Sequence, residues 1–157
     1  MIAVIQRIHS AHVIADGVPA GKAGRGLYIL LGVASGDTTE DAVALAEKIS
    51  KLRIFTDEND KMNLSVKDID GEVLVVSNFT LNANYAHGNR PDYLAAASPD
   101  EANALYTHFV LEMKKRVRSC EVIISIISPF CGILSIGTMT PFTLAPTILL
   151  PTAEWIA

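Results

Sequence analysis

The segment GRGLYILLGVASGDTTEDAVALAEKISKL, residues 24–52, decides the fold, because two hydrophobic patterns follow each other within it. Residues 24–33 form an apolar run bounded by glycines, which predicts a buried strand. Residues 37–39 (DTT) then offer a helix cap, and the acidic pair that follows favours the positive start of a helix. From Ala42 to Leu52, apolar residues recur at three- and four-residue steps, which predicts a helix with one apolar face.

Similar signals extend this strand and helix in both directions. Residues 2–15 are rich in β-branched side chains and predict a strand that ends at the hairpin-turn pair Asp16-Gly17. Residues 72–81 predict a further strand, and Ser98-Pro99 starts a second helix, which ends in the cations of residues 114–118. Residues 82–98 are a long polar loop of a length that is uncommon unless the loop is functional. This order predicts a single α+β domain over residues 1–157 with two helices and a mostly antiparallel sheet.

Composition and charge exclude several classes of protein. The chain has 157 residues, 50% of them hydrophobic, which suits one folded domain, and a formal net charge of −4. That charge argues against a protein held to RNA or DNA by cations alone, although an enzyme that reads only the end of a tRNA needs few cations. The start of the chain lacks a signal-peptide pattern, so we expect a cytoplasmic protein. Prolines interrupt the apolar tail, so we expect no membrane-spanning helix.

Chemistry-bearing residues are concentrated in the segment VVSNFTL, residues 75–81. If the strand continues through it, Ser77 and Phe79 face one way and Asn78 and Thr80 the other. Backbone N–H groups without ladder partners at a strand end, next to hydroxyls, can hold the negative oxygen of an ester transition state. The alternative is a strand that runs into a turn, in which the polar side chains satisfy the loop backbone.

Other catalytic patterns are missing from the sequence. The histidines His9, His12, His87 and His108 are scattered, and no partner motif accompanies them. There is no G-x-S-x-G elbow, P-loop, GxGxxG or metal-spaced set of carboxylates, and no histidine follows Cys120 and Cys131 at a zinc-site spacing. The sequence therefore predicts no metal and no cofactor.

From Met1 to about Arg118 the chain resembles the D-aminoacyl-tRNA deacylase family. The segments that carry the resemblance occur in family order: AVIQRI, GRGLYILLGVASGDT, KISKLRIF, DKMNLS, EVLVVSNFTL, GNRPDY and ASPDEANALYTHF. The family has glutamine where this chain has Asn78, which keeps the amide but shortens its reach by one methylene.

The resemblance implies a fold, an activity and a site. The fold would be a barrel-like, mostly antiparallel α+β domain. The activity would be hydrolysis of the ester between a D-amino acid, or mischarged glycine, and the tRNA 3′ end, a proofreading step in translation. Family members use no metal and no covalent nucleophile. The segment Ser77–Thr80 would hold the substrate, Arg7 and Met62 would contact it, and the terminal 2′-OH of the RNA would assist catalysis by proximity.

A second family signature, Asn-Asp-Gly-Pro with a cis proline, is replaced in this chain. In the family, its Gly-Pro carbonyls come from the partner subunit and exclude L side chains, which implies a homodimer with active sites at the interface. Thr140-Pro141 is the candidate equivalent here, with Ala145-Pro146 as an alternative. Residues 119–140 depart from the family, which indicates either true divergence or a pair of compensating frameshifts.

Two other functions remain open at this level. One is a non-catalytic module that binds the tRNA end with an impaired proofreading site. The other is a structural dimeric module without an RNA role. The position of Pro141 relative to Thr80 of a partner chain would discriminate among the three.

Overall fold

The computed structural model describes residues 1–15, 18–86, 88–123, 135–137 and 148–151. Within these ranges the chain forms ten strands, two α-helices and one 3-10 helix, in this order: β1 (Ile2–Ile8), β2 (Ala11–Ala15), β3 (Val18–Ala23), β4 (Gly26–Gly32), α1 (Thr39–Ser50), β5 (Phe55–Thr56), β6 (Met62–Leu64), β7 (Glu72–Ser77), the 3-10 helix (Phe79–Asn82), α2 (Pro99–Lys114), β8 (Ser119–Ile123), β9 (Ser135–Gly137) and β10 (Ile148–Pro151).

The strands form three sheets. A five-stranded sheet has the order β10-β1-β4-β7-β8, a three-stranded sheet has the order β3-β2-β9, and β5 pairs with β6. Only β4–β7 and β7–β8 are parallel, and the other pairs are antiparallel. The expected α+β domain with two helices and a mostly antiparallel sheet is confirmed. The sheets of the described residues are open, with no closed barrel among them.

The strand β4 is buried on both faces, which explains its unbroken apolar sequence. Leu27, Ile29 and Leu31 pack in a cluster with the apolar faces of α1 and α2. Tyr28, on the opposite face, packs with residues of β2 and β3. The five-stranded sheet is thus the middle of three layers, between the helices and the three-stranded sheet, and a strand in that position has no polar face.

The expected single strand over residues 2–15 is wrong in one respect, because the run breaks at His9 and Ser10. These two residues are exposed, and the strands on either side of them join different sheets. Ala15 pairs with Val18, so a two-residue connection joins β2 and β3. The residues of that connection, at which the sequence predicted a hairpin turn, lie outside the described residues.

Both helices begin at the predicted caps. The N–H of Thr38 donates to the Asp41 carboxylate at 2.8 Å, and the N–H of Asp41 donates to the Thr38 hydroxyl at 3.4 Å. At the start of α2, the Glu101 carboxylate accepts from the Ser98 N–H at 3.3 Å and from the Ser98 hydroxyl at 2.8 Å. A capping box of this kind satisfies backbone donors that a helix start leaves without intrahelical partners. None of the helices in the described ranges is long and apolar enough to cross a membrane.

The buried hydroxyl of Tyr28 supports a prediction about stability. Tyr28 is 2% exposed, and its hydroxyl meets no hydrogen-bond partner among the described residues. Replacing Tyr28 with Phe removes this unsatisfied group, and we expect the free energy of unfolding to rise by about 1 kcal/mol. Tyr106→Phe is the matched control, because the Tyr106 hydroxyl donates to the Val75 carbonyl at 2.8 Å. Denaturant unfolding should show Tyr28→Phe more stable and Tyr106→Phe less stable than the original protein.

The same substitution should change the response to alkaline pH. Burial raises the pKa of Tyr28, so the folded state holds this phenol neutral. The unfolded phenol ionises near pH 10, and the wild-type protein loses stability as the pH rises through that value. The Tyr28→Phe variant should lose less stability over that range. An equal loss of stability in both proteins would contradict a raised pKa of Tyr28 in the folded state.

Candidate functional site

The candidate site lies where two parallel strands end side by side. β4 and β7 pair in parallel from Gly26 and Glu72 to Leu31 and Ser77, the last pair of the ladder. The carbonyl of Leu31 accepts a hydrogen bond from the N–H of Asn78 at 2.8 Å. The polar segment Ser77–Thr80 therefore begins at a fixed point, on the last rung of a buried ladder.

Beyond Ser77 the chain leaves the strand, so the expectation of a strand up to Leu81 with alternating side chains is wrong. Residues 79–82 form a 3-10 helix, and Asn78 is its N-cap. The Asn78 side-chain oxygen accepts from the Thr80 N–H at 3.0 Å and from the Thr80 hydroxyl at 2.5 Å. Asparagine favours this local bonding over a continued ladder, because its short side chain reaches its own backbone two residues on.

The turn leaves three polar groups available for a ligand. The N–H of Phe79 starts the 3-10 helix, and it has no acceptor in the described part of the chain. The hydroxyl of Ser77 likewise has no hydrogen-bond partner among those residues, and Ser77 is only partly buried. Thr80 is exposed, and its hydroxyl oxygen still has capacity to accept. The sequence predicted free donors at this strand end, but the N–H of Asn78 is not one of them.

Gly32, the last residue of β4, allows the 3-10 helix to lie against the strand. A Cβ atom at Gly32 would lie 3.0 Å from the Leu81 Cβ and 3.2 Å from the Asn78 carbonyl oxygen. Asn82 is buried, and its side-chain amide donates to the Val33 carbonyl at 3.0 Å. Sequence analysis missed both residues, although a glycine directly after an apolar strand is a signal of close backbone approach.

The long loop after the 3-10 helix is hydrogen bonded to the same strand end. The N–H of Ser35 donates to the Ala95 carbonyl at 2.8 Å, and the N–H of Ala97 donates to the Val33 carbonyl at 3.1 Å. Within the loop, the ring of Tyr93 meets the ring of Phe79 edge to face, with 5.2 Å between centroids. The loop therefore forms one wall of the candidate site.

Arg7 and Met62 lie elsewhere in the chain. Arg7 is buried in β1, where it pairs with Leu27 and donates to the Ile54 carbonyl at 2.9 Å. Leu27 is four residues from Leu31 along β4, about 13 Å at the usual rise of a strand. Met62 is 59% exposed and pairs with Thr56, close to the backbone that Arg7 binds. Within one chain, these two predicted residues therefore lie near the β5–β6 hairpin and not at the strand end.

The remaining predicted site residues, Thr140 and Pro141, lie outside the described residues, as does the expected cis peptide bond before Pro141. Across the described ranges, no three histidine, cysteine, aspartate or glutamate side chains come together in a way that could hold a metal ion.

A second cavity, which sequence analysis missed, lies at the opposite end of β7. It has a volume of about 520 Å³, and its lining residues are Ser10, Ala11, His12, Lys22, Ala23, Gly24, Glu72 and Ser119. The Glu72 carboxylate accepts from the N–H of Gly24 at 2.6 Å. A carboxylate of the protein itself therefore occupies this backbone amide, so the amide is not free to bind an anion in the cavity.

Comparison with known proteins finds a match to one family, and the similar proteins carry names that agree with that family. The family described as D-Tyr-tRNA(Tyr) deacylase matches residues 4–125. Proteins named D-aminoacyl-tRNA deacylase are similar to the chain. The one from Caldicellulosiruptor bescii is 50% identical over 77% of this chain and 81% of its own length. The one from Geobacter sulfurreducens is 54% identical over 70% of this chain and 72% of its own length.

Two solved structures are also similar. One is titled c-Myc DNA Unwinding Element Binding Protein; it is 30% identical, has a TM-score of 0.80, and the match covers 96% of this chain and 98% of that one. The other is titled as a probable eukaryotic D-amino acid tRNA deacylase, with a TM-score of 0.63 and 17% identity over 95% of this chain and 91% of that one, which supports the fold alone. The family match ends at residue 125, within the segment 119–140 that the sequence analysis expects to depart from the family pattern.

Proposed function

The chain belongs to the D-Tyr-tRNA(Tyr) deacylase family, and we propose that it is an enzyme that hydrolyses the ester bond of D-aminoacyl-tRNA. The products are free D-amino acid and tRNA, and mischarged glycyl-tRNA is a further substrate. The observation that carries the proposal is 50% identity to a D-aminoacyl-tRNA deacylase across 121 residues, which include the whole Ser77–Thr80 segment. We propose the cytoplasm as the place of the reaction, because translation there supplies aminoacyl-tRNA.

The groups at the strand end suit ester hydrolysis without a protein nucleophile. Attack on the ester carbonyl places negative charge on its oxygen, and a fixed N–H donor stabilises that charge. The Phe79 N–H is such a donor, because it is bound to no acceptor in the described ranges and the Asn78 cap fixes its turn. The hydroxyls of Ser77 and Thr80 bind the rest of the ester end, and the neighbouring 2′-OH of the RNA assists the attack of water by proximity.

A homodimer would complete the site. Under this proposal, Thr140-Pro141 of one copy faces Thr80 of the other copy, and its backbone carbonyls exclude L side chains. A two-fold interface would form this arrangement twice. We expect a dimer in sedimentation experiments at micromolar concentration, and a monomer there would contradict the shared site.

The experiment that tests the activity is deacylation of D-Tyr-tRNA and L-Tyr-tRNA by the purified protein. We expect the D ester to be hydrolysed faster than the L ester, and both rates are compared with spontaneous hydrolysis. If neither ester is hydrolysed above the spontaneous rate while uncharged tRNA still binds, the chain is the non-catalytic tRNA-end binding module. If tRNA does not bind either, a structural dimeric module is the better description.

Activity should also survive removal of metal ions. The proposed mechanism uses a backbone N–H, hydroxyls and the RNA itself, so none of its steps depends on a Lewis acid. We therefore expect the turnover of D-Tyr-tRNA to be unchanged after dialysis against EDTA. The tRNA substrate is refolded separately with Mg²⁺, so that its own structure is not the variable. A loss of activity that zinc restores would contradict the mechanism.

A further inference from the structure

The second cavity opens between two sheets, far from the strand end that carries the candidate site. One wall comes from β2 and β3, where His12 pairs with Lys22, and the other comes from the first residues of β7 and β8, where Glu72 pairs with Ser119. Its volume of about 520 Å³ lies within the range of about 300–1,000 Å³ that is usual for small-molecule sites. Ser77 is five residues from Glu72 along β7, which separates the two places by roughly 17 Å.

Charges of both signs line this cavity. Lys22 is exposed and lies directly opposite His12 in the ladder, so the two side chains are neighbours on one wall. Neither of them forms a hydrogen bond or an ion pair within the parts of the chain that the structure describes. On the other wall, one oxygen of the Glu72 carboxylate accepts from the N–H of Gly24 at 2.6 Å. The second oxygen of that carboxylate keeps its capacity to accept.

The cavity also has an apolar wall. Ala11 and Ala23 line it, and both belong to the buried cluster that contains Tyr28 and Leu74. The methyl groups of these alanines leave space that larger side chains would fill. The cavity is therefore continuous with the apolar layer between the two sheets, and an apolar wall with a few charged groups is the usual composition of a small-molecule site.

We propose that this cavity binds a free α-amino acid in its zwitterionic form. The ammonium group of the ligand binds the open oxygen of Glu72, its carboxylate binds Lys22, and its side chain contacts the two alanines. Glu72 would repel a simple anion and Lys22 would repel a simple cation, whereas a zwitterion pairs with both. The occupant goes beyond the proposed function, which bears on it in one respect only: the proposed reaction releases an amino acid at the other end of β7.

Titration of the isotope-labelled protein with D-tyrosine, followed by the chemical shifts of backbone amides, tests the proposal. We expect the amides of Ala11, Ala23, Gly24 and Ser119 to shift. N-acetyl-D-tyrosine lacks the positive charge and D-tyrosine amide lacks the negative charge. Each should bind at the cavity at least about 10-fold more weakly, because each loses a hydrogen bond to a charged group.

Two substitutions remove the charges of the walls one at a time. Glu72→Gln and Lys22→Gln should each weaken D-tyrosine binding at the cavity by about 10-fold. Glutamine at position 72 can still accept from the Gly24 N–H, so the local backbone keeps its bond. Arg25→Gln is the matched control, because Arg25 is exposed beside Gly24 but is not part of the cavity lining. It makes the same change in net charge and should leave binding unchanged.

Binding at the strand end is separated from binding at the cavity by Thr80→Ala, which should leave the shifts of Gly24 and Ser119 unchanged. The proposal is overturned if millimolar D-tyrosine shifts none of the cavity amides or if the two derivatives bind there as tightly as D-tyrosine. It is also overturned if Arg25→Gln weakens binding as much as Lys22→Gln does. Failure of the proposed function is distinguishable, since it would show as absent hydrolysis of D-Tyr-tRNA and would leave these shifts as expected.

Discussion

Replacing Thr80 with Ala should lower the turnover of D-Tyr-tRNA by about 10- to 150-fold, because it removes an acceptor that can bind the charged amino group of the ester, a hydrogen bond worth about 1.5–3 kcal/mol. Thr80 is exposed at the strand end, and its backbone N–H keeps its bond to Asn78 in the variant. The substitution therefore removes a hydroxyl from the site and leaves the turn in place. Single-turnover hydrolysis at saturating enzyme measures the effect on the chemical step.

Thr80→Ser is the control for this prediction, because serine keeps the hydroxyl and loses only a methyl group. We expect its turnover to be much closer to wild type than that of Thr80→Ala. Denaturant unfolding should give both variants a free energy of unfolding within about 0.5 kcal/mol of wild type, as is usual for exposed positions. If Thr80→Ala instead unfolds and loses activity in proportion, Thr80 has a structural role.

Gly26→Ala should have the largest effect on stability. A Cβ atom at Gly26 would lie 1.8 Å from the carbonyl oxygen of Glu72, the residue that pairs with it across the parallel β4–β7 ladder. The Cβ position is fixed by the backbone of residue 26, and the oxygen belongs to the backbone of Glu72. Neither atom can therefore move away without separating the two strands. Overpacking of this kind costs about 3 kcal/mol or more. For a chain of this size, that corresponds to a fall in melting temperature of roughly 6–12 °C.

Gly24→Ala is the matched control, two residues earlier in the same segment. Its Cβ atom would lie 3.4 Å from the Glu72 carboxylate, which is an ordinary contact with the end of a side chain. We expect its stability to stay within about 1 kcal/mol of wild type. Thermal unfolding of the two variants side by side makes the comparison. Equal melting temperatures would mean that the fold tolerates a Cβ atom at position 26.

The sequence correctly predicted the elements that are specified by short patterns within the element itself. The strand β4 and the starts of both helices follow from an apolar run and from capping residues, which act over a few residues only. The break at His9 and Ser10 was missed because β-branched residues continue on both sides of it. Only the packing of two separate sheets explains why the chain bends there.

The sequence predicted which residues lie at the end of the strand, but it did not predict the conformation of the turn that they form. The sequence placed Ser77–Thr80 at a strand end, and the structure has β7 end at Ser77. The turn that follows depends on the Asn78 side chain competing with the ladder for backbone groups, which a strand pattern does not encode. Asn82 and Tyr93 escaped notice because their partners are distant in sequence or lie within an irregular loop.

The pairing of β1 with β10 has a consequence for biosynthesis. β1 leaves the ribosome long before β10, its neighbour on one side, which comes from residues 148–151. Until those residues emerge, the nascent sheet has β1 as an open edge, and open edges recruit other strands. Chains that stop before Ile148 would keep that edge permanently. We therefore expect such truncated chains to associate through β1, and chaperones that shield strand edges should raise the yield of the complete chain.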